Sequence, residues 1–209
     1  MEKNSERFFE WYTKEASAQE RIFVDSVMSL GNEYFGDMRF EAGSITSDFI
    51  ACQSSIDGGK TWIADEVSLP DALQYFSYDW FSYRIEKMEA KCAYFDWLKQ
   101  EIVISPEYAN DDATILHELI HLHEFVIHDG PWFFHDALLW CLYRDLRGKV
   151  ENLDTKIEEH GHILNETELQ SQGGTHDILF LVKSFDLDLR KGYPLGTVFG
   201  YGRTEYFAD

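Results

Sequence analysis

The chain has 209 residues, of which 44% are hydrophobic and 16% aromatic, enough to build a sizeable core and too apolar for a disordered protein. Its 38 acidic and 18 basic residues give a formal net charge of −20, which disfavours nucleic-acid binding because phosphate backbones are repelled. No apolar run has the length of a membrane span, and the charged N-terminus has no hydrophobic stretch behind it. These features predict a cytoplasmic protein without a membrane segment.

The first third of the chain mixes helical and strand-like patterns. Apolar residues at helical spacing predict one or two helices between Ser5 and Leu30, with Gly31 as a C-cap. Strand-like patterns follow at 38–42 and 48–54. A further helix is expected to begin near Pro70.

The middle of the chain predicts two strands followed by a helix. The stretches 91–96 and 100–105 have strand patterns and a short connection between them. Asp111 or Asp112 is a natural N-cap for the helix that follows. The remaining expectations are a turn at 129–131, a helix over 132–146, a possible helix at 150–160, a loop at 161–174, and a capped helix over 175–190 with Gly192 after its end.

The helix predicted after Asp112 carries the sequence His-Glu-Leu-Ile-His at 117–121, an HExxH motif. His117 and His121 are four residues apart and therefore project from one face of a helix, where two imidazoles can hold one Zn²⁺. Glu118 lies beside them and is positioned to take a proton from the metal's water. The motif predicts a zinc site with Glu118 as its catalytic base.

A catalytic zinc usually has three protein ligands and one water, so a third ligand is needed. His123 points to a different side of the helix, and His128 lies about 10 Å along the axis from His121. His135 lies on the next helix, which can fold back to bring the side chain to the metal. We therefore predict His135 as the third ligand, with His128 as the second choice. Glu124 is expected beside the site as an outer partner of a ligand, and Asp136 as a group that orients part of it. His160, His162 and His176 are interpreted as surface or loop residues, one of which could act near the site.

This arrangement resembles the SprT-like family of zincin metallopeptidases. The resemblance lies in Glu101-Ile-Val-Ile-Ser, in the motif at 117–121, and in His135-Asp-Ala-Leu-Leu-Trp140, and Asn32-Glu-Tyr-Phe is similar to the family's entry into its first strand. It covers roughly 20–147. Two features depart from the family: three cysteines cannot form its frequent C-terminal four-cysteine zinc ribbon, and the basic character of its DNA-associated members is missing.

Together these patterns predict one α+β, zincin-like domain over 1–209, with a metallopeptidase-like core at 20–147 and an extension at 148–209. The motif helix is expected to pack on a small, mainly antiparallel sheet and to be followed by an antiparallel helix. The predicted function is zinc-dependent hydrolysis of a peptide or protein substrate. The alternative is a catalytically inactive, zincin-derived binding or regulatory protein whose metal is structural. The sequence does not indicate an oligomeric state.

Overall fold

The computed structural model of the protein describes residues 2–39, 75–89, 91–128, 133–158 and 176–201. Within these ranges it contains six helices and one three-stranded sheet, which confirms the predicted α+β class. The predicted strand at 48–54, the helix near Pro70, the turn at 129–131 and the loop at 161–174 lie outside the described residues, as does most of the predicted strand at 38–42.

Two helices form the N-terminal part: α1, Glu2–Lys14, and α2, Ala18–Tyr34. Ser17 begins α2 with a capping box, in which its side chain accepts from the Glu20 N–H and its own N–H donates to the Glu20 carboxylate. The prediction that Gly31 ends this helix is wrong, because α2 continues to Tyr34. A β-carbon at Gly31 would lie 2.0 Å from the Tyr78 hydroxyl oxygen, so the glycine lets the Tyr78 ring pack against the helix backbone.

The sheet consists of β1, Ser82–Ile85, β2, Ala93–Asp96, and β3, Glu101–Ile104, in the order β1-β3-β2. β2 and β3 confirm the two strands predicted at 91–96 and 100–105. β1 was not predicted, and it pairs with β3 in parallel, whereas β2 pairs with β3 antiparallel. The described sheet is therefore mixed rather than mainly antiparallel.

The helix α3, Asp112–His128, carries the HExxH motif. Asp111 caps it, since its carboxylate accepts from the Thr114 N–H at 2.9 Å. The helix packs against α2, β2 and the last helix of the described chain. Its residues from Ala113 to Ile120 are all buried, so α3 runs through the interior.

Three helices follow: α4, Phe133–Leu146, α5, at 153–158, and α6, Ile178–Lys191. They fall where the sequence predicts helices. Asp177 caps the start of α6 through the Phe180 N–H at 2.9 Å, and Gly192 ends it at φ 70°, a left-handed conformation that suits glycine. α6 packs against both α3 and α4.

One hydrophobic cluster includes residues of every helix and strand in the described ranges. Leu153 of α5, Phe180 and Phe185 of α6, and Val198 belong to this cluster, although all four fall in the predicted C-terminal extension. None of the helices in the described part of the chain is long and apolar enough to cross a membrane. The packing of α6 beside α3 brings the C-terminal residues to the HExxH motif.

Candidate metal centre

The two histidines of the motif lie one turn apart on α3, with ring centroids 5.2 Å apart. His117 is fully buried, and the side chain of His121 is 12% exposed. The site is therefore enclosed on the His117 side and opens to solvent near His121.

The third histidine of the group is His176, which directly precedes the N-cap of α6. Its Nε2 lies 3.0 Å from Nε2 of His117 and 3.1 Å from Nε2 of His121. These three histidines are positioned to bind a metal ion. Among the described residues, the group contains no carboxylate or thiol.

The spacing of these nitrogens suits a tetrahedral zinc ion. Zinc–nitrogen bonds of about 2.0–2.1 Å place two tetrahedral ligands about 3.3 Å apart. The distances of 3.0 and 3.1 Å are a few tenths of an ångström shorter. Three imidazole nitrogens are a donor set that zinc accepts, so the described residues fit this metal.

A contact on the far side of the His117 ring fixes the lone pair of that ring. Nδ1 of His117 lies 2.9 Å from the Val198 carbonyl oxygen. Because a carbonyl can only accept, Nδ1 carries the proton and Nε2 keeps its lone pair for a metal. The Glu124 carboxylate lies 3.5 Å from Nδ1 of His121, which is where an outer partner of a ligand would lie, as the sequence predicts for Glu124.

The environment of the three rings keeps them neutral. Burial lowers the pKa of His117 well below its ordinary value, and the neighbouring His176 and His121 lower it further. Burial, with His176 beside it, lowers the pKa of His121 to about 3. Burial also lowers the pKa of His176 to about 4. Neutral imidazoles are the form that binds a metal, so protons do not compete for these nitrogens near neutral pH.

Glu118 lies beside the histidines and is fully buried. Its Oε1 accepts a hydrogen bond from the Tyr201 hydroxyl at 2.8 Å, and the Tyr201 ring stacks on His117 with centroids 3.9 Å apart. The other carboxyl oxygen, Oε2, makes no hydrogen bond within the described residues. The hydroxyl of Tyr201 and the main-chain amide of Phe95 both lower the pKa of the Glu118 carboxyl group. Burial is the dominant effect and raises this pKa to about 8.

His135, the predicted third ligand, lies in a different position. It projects from α4, and its Nε2 lies 2.7 Å from Oδ2 of Asp177. The group that includes His117 and His121 contains His176 in its place. The physical reason is that α4 and α6 pack together, which turns His135 toward the cap of α6 and leaves the residue before that cap facing α3.

Asp177 joins His135 to the start of α6. Burial raises the pKa of Asp177, but the hydrogen bonds from His135 and from the Phe180 N–H outweigh it, and the pKa is lowered overall. The ionised carboxylate therefore caps α6 and holds the backbone next to His176. His135 is therefore linked to the site through Asp177, and the group of three histidines does not include it.

The other candidate histidines are also away from the group. His128 is exposed at the end of α3, with its ring 5.9 Å from that of Trp97. His123 is buried against the Phe35 ring, as expected for a residue on another side of the helix. His160, His162 and the Asp136 side chain lie outside the described residues.

A turn after α6 supplies several groups around the site. Asp188, fully buried in α6, accepts from the Gly196 N–H at 2.7 Å and from the Val198 N–H at 3.0 Å. The same stretch provides the Val198 carbonyl to His117 and the Tyr201 hydroxyl to Glu118. Burial raises the pKa of Asp188 to about 7, and the main-chain hydrogen bonds act in the opposite direction.

Sequence reasoning interpreted His176 as a surface or loop residue, one of three histidines of which one could act near the site, and the structure places it against His117 and His121. It assigned no role to Asp188, Val198 or Tyr201. The one available signal was the position of His176 next to the start of a predicted capped helix. The chain matches no family model, and neither a curated protein nor a solved structure is significantly similar to it.

Proposed function

We propose that the protein is a zinc-dependent hydrolase that cleaves peptide bonds, with His117, His121 and His176 as the metal ligands. The observation that carries the proposal is the convergence of the three Nε2 atoms, with separations of 3.0 and 3.1 Å on either side of His176. Among the described residues, the group leaves one position of a tetrahedral ion for water or substrate. A site built only for stability would fill that position with a fourth protein ligand.

Glu118 is the proposed catalytic base. Glu118 follows His117 in the sequence, and the Tyr201 side chain contacts both residues. The carboxyl group of Glu118 therefore lies beside the three histidines, and it is not one of the proposed metal ligands. Zinc held by the three histidines would supply a Lewis acid that acidifies water and polarises a carbonyl group. At its metal-free pKa of about 8 the Glu118 carboxyl group is protonated at neutral pH, and the charge of a bound Zn²⁺ would favour its ionised form. The ionised Glu118 would accept the proton and deliver it to the leaving amine.

A peptide substrate is favoured by the strand next to α3. Within the described residues, β2 pairs only with β3, so its other edge presents main-chain donors and acceptors. The Ser105 N–H donates to the Cys92 carbonyl, so these two residues form a hydrogen-bonded pair of the antiparallel ladder. Hydrogen-bonded and non-hydrogen-bonded pairs alternate along such a ladder, and Phe95, three residues after Cys92, belongs to a non-hydrogen-bonded pair. Its amide therefore points away from β3. That amide acts on Glu118, so this edge of β2 faces the site. An extended polypeptide would add to the part of the edge that no described strand pairs with.

One observation favours the alternative of a binding or regulatory protein with a structural metal. His117 and Glu118 are both fully buried, and Tyr201 covers them. In this arrangement substrate cannot reach the carboxylate unless Tyr201 moves. A peptidase assay distinguishes the two functions, since both require the metal and only one requires Glu118.

The first experiment combines elemental analysis with a quenched-fluorescent peptide library. We expect about one zinc per chain, hydrolysis by the wild type, and metal retention without hydrolysis in Glu118→Gln. Zinc binding without hydrolysis of any peptide would support the binding protein. Loss of zinc in a folded Glu118→Gln variant would contradict the role given to Glu118, because a base outside the ligand set should not be needed for binding.

A further inference from the structure

The last helix of the described chain organises the metal centre from both of its ends. His176 directly precedes Asp177, the N-cap of α6, and Asp188 lies in the last turn of the helix. Asp188 is completely buried, which is costly for a carboxylate unless its oxygens are hydrogen-bonded. Both oxygens are used: Oδ2 accepts from Gly196 at 2.7 Å and Oδ1 from Val198 at 3.0 Å.

These two hydrogen bonds fix the main chain at the point where it meets a ligand. The Val198 residue donates its N–H to Asp188 and presents its carbonyl oxygen to Nδ1 of His117 at 2.9 Å. The peptide groups on the two sides of one residue thus connect a buried carboxylate with a ligand imidazole. Gly196, at φ 87°, allows the tight turn that brings both amides to the same carboxylate.

We propose that Asp188 is a positioning residue of the metal centre, which orients His117 through the main chain of residues 196–198. This inference rests on the proposed zinc site. Asp188 touches neither a ligand nor Glu118, and it acts by fixing the carbonyl that sets the tautomer and direction of the His117 ring. Groups that orient a ligand histidine typically change metal affinity by about 10–100-fold.

The same turn leads to Tyr201, which hydrogen-bonds to Glu118. An anchored turn therefore places a carbonyl at the first ligand and a phenol at the neighbouring carboxyl group. A purely structural role for Asp188 would stabilise the turn and the fold but would leave the geometry at the metal unchanged. The spectrum of a bound Co²⁺ ion reports that geometry directly.

The test compares Asp188→Asn with Asp186→Asn in the full chain. The control makes the same acid-to-amide substitution in the same helix, where Asp186 contacts Lys183 at 2.9 Å and none of the three histidines. An asparagine at 188 has only one acceptor oxygen, so one of the two main-chain N–H groups loses its partner. Zinc affinity is measured by competition with a chromophoric chelator, and visible spectra are recorded after loading with Co²⁺.

We expect Asp188→Asn to bind zinc about 10–100-fold more weakly and to shift the Co²⁺ bands, while Asp186→Asn changes neither. Wild-type affinity and spectrum in a folded Asp188→Asn variant would overturn the inference and leave the proposed function standing. Failure of the wild type itself to bind zinc would overturn the proposed function and this inference with it.

A second variant serves if Asp188→Asn does not fold. Gly196→Ala places a side chain at positive φ in the turn and keeps Asp188 intact. We expect this variant also to weaken zinc binding and to shift the Co²⁺ bands. Unchanged values would show that the turn does not position His117.

Discussion

The hydroxyl group of Tyr201 donates a hydrogen bond of 2.8 Å to Glu118, a residue 83 positions earlier in the chain. A donor to a carboxylate stabilises its charged form, so this contact lowers the pKa of Glu118 against the larger effect of burial. The contact gives the first prediction.

We expect Tyr201→Phe to raise the pKa of Glu118 above its value of about 8. Removing one hydrogen bond to a charged group costs about 1.5 kcal/mol, which moves the titration midpoint upward by about one pH unit. The measurement is carbon NMR of the metal-free protein with labelled glutamate carboxyl groups. Tyr193→Phe, a change in the same C-terminal region, should leave the midpoint in place; equal shifts in both variants would contradict the role of Tyr201.

The identity of the third ligand can be tested by two single substitutions. His176→Ala should weaken zinc binding by more than about 100-fold, because it removes a ligand nitrogen rather than an outer partner. His135→Ala removes the contact with Asp177, whose carboxylate is partly solvated, and leaves the three histidines of the group in place. This variant should keep one zinc per chain with at most a modest loss of affinity. Chelator competition on both variants separates the ligand sets, and the opposite ranking would restore His135 as the ligand.

A third prediction concerns acid stability and His123, which lies outside the ligand group. Burial lowers the pKa of His123 to about 3, against an ordinary value of 6.5. Between pH 6.5 and about 3, His123 therefore binds a proton in the unfolded chain but not in the folded chain. The free energy of unfolding decreases as the pH falls through this range. Between pH 7 and 5 this residue accounts for about 2 kcal/mol of that loss.

The matching experiment is urea unfolding of the metal-free wild type and of His123→Phe at both pH values. The phenylalanine keeps the ring against Phe35, where the imidazole now stacks with centroids 4.4 Å apart. We expect the variant to lose less stability on acidification than the wild type, even if it is less stable at pH 7. Parallel losses in the two proteins would show that His123 is protonated in the folded state.

A fourth prediction tests the docking of α2. Alanine is a better helix former than glycine by about 1 kcal/mol, so Gly31→Ala would stabilise an isolated helix. In the folded protein the new β-carbon would overlap the buried Tyr78 ring, and we expect a net loss of about 1–3 kcal/mol. Gly148→Ala is the control, since its β-carbon would have no neighbour within 4 Å. Denaturant unfolding measures both, and a stabilised Gly31→Ala variant would exclude the close contact.

The parts of the fold that were predicted from sequence are those specified by local signals. The α3 helix begins at a capping aspartate, and its histidines recur at a spacing that any helix places on one face. β2 and β3 alternate in pattern and are separated by a short connection. The placement of His117 and His121 on one face of α3 could therefore be predicted before the structure was known.

The third histidine could not be assigned because its position depends on how helices pack. His135 and His176 precede or begin helices of similar length, and nothing local shows which of those helices lies against α3. The structure places α6 there, with α4 against α6. The contacts of Val198 and Tyr201 depend on the same packing and on a turn that has no motif of its own.

The distance along the chain between His121 and His176, 55 residues, has a consequence for biosynthesis. The HExxH segment leaves the ribosome well before the third histidine, and the turn that contacts His117 and Glu118 follows later still. A nascent chain therefore presents only two of the three imidazoles and would hold zinc weakly. At the proposed zinc site, metal capture would therefore come late in synthesis, and a chain that ends before His176 would lack one of the three ligands.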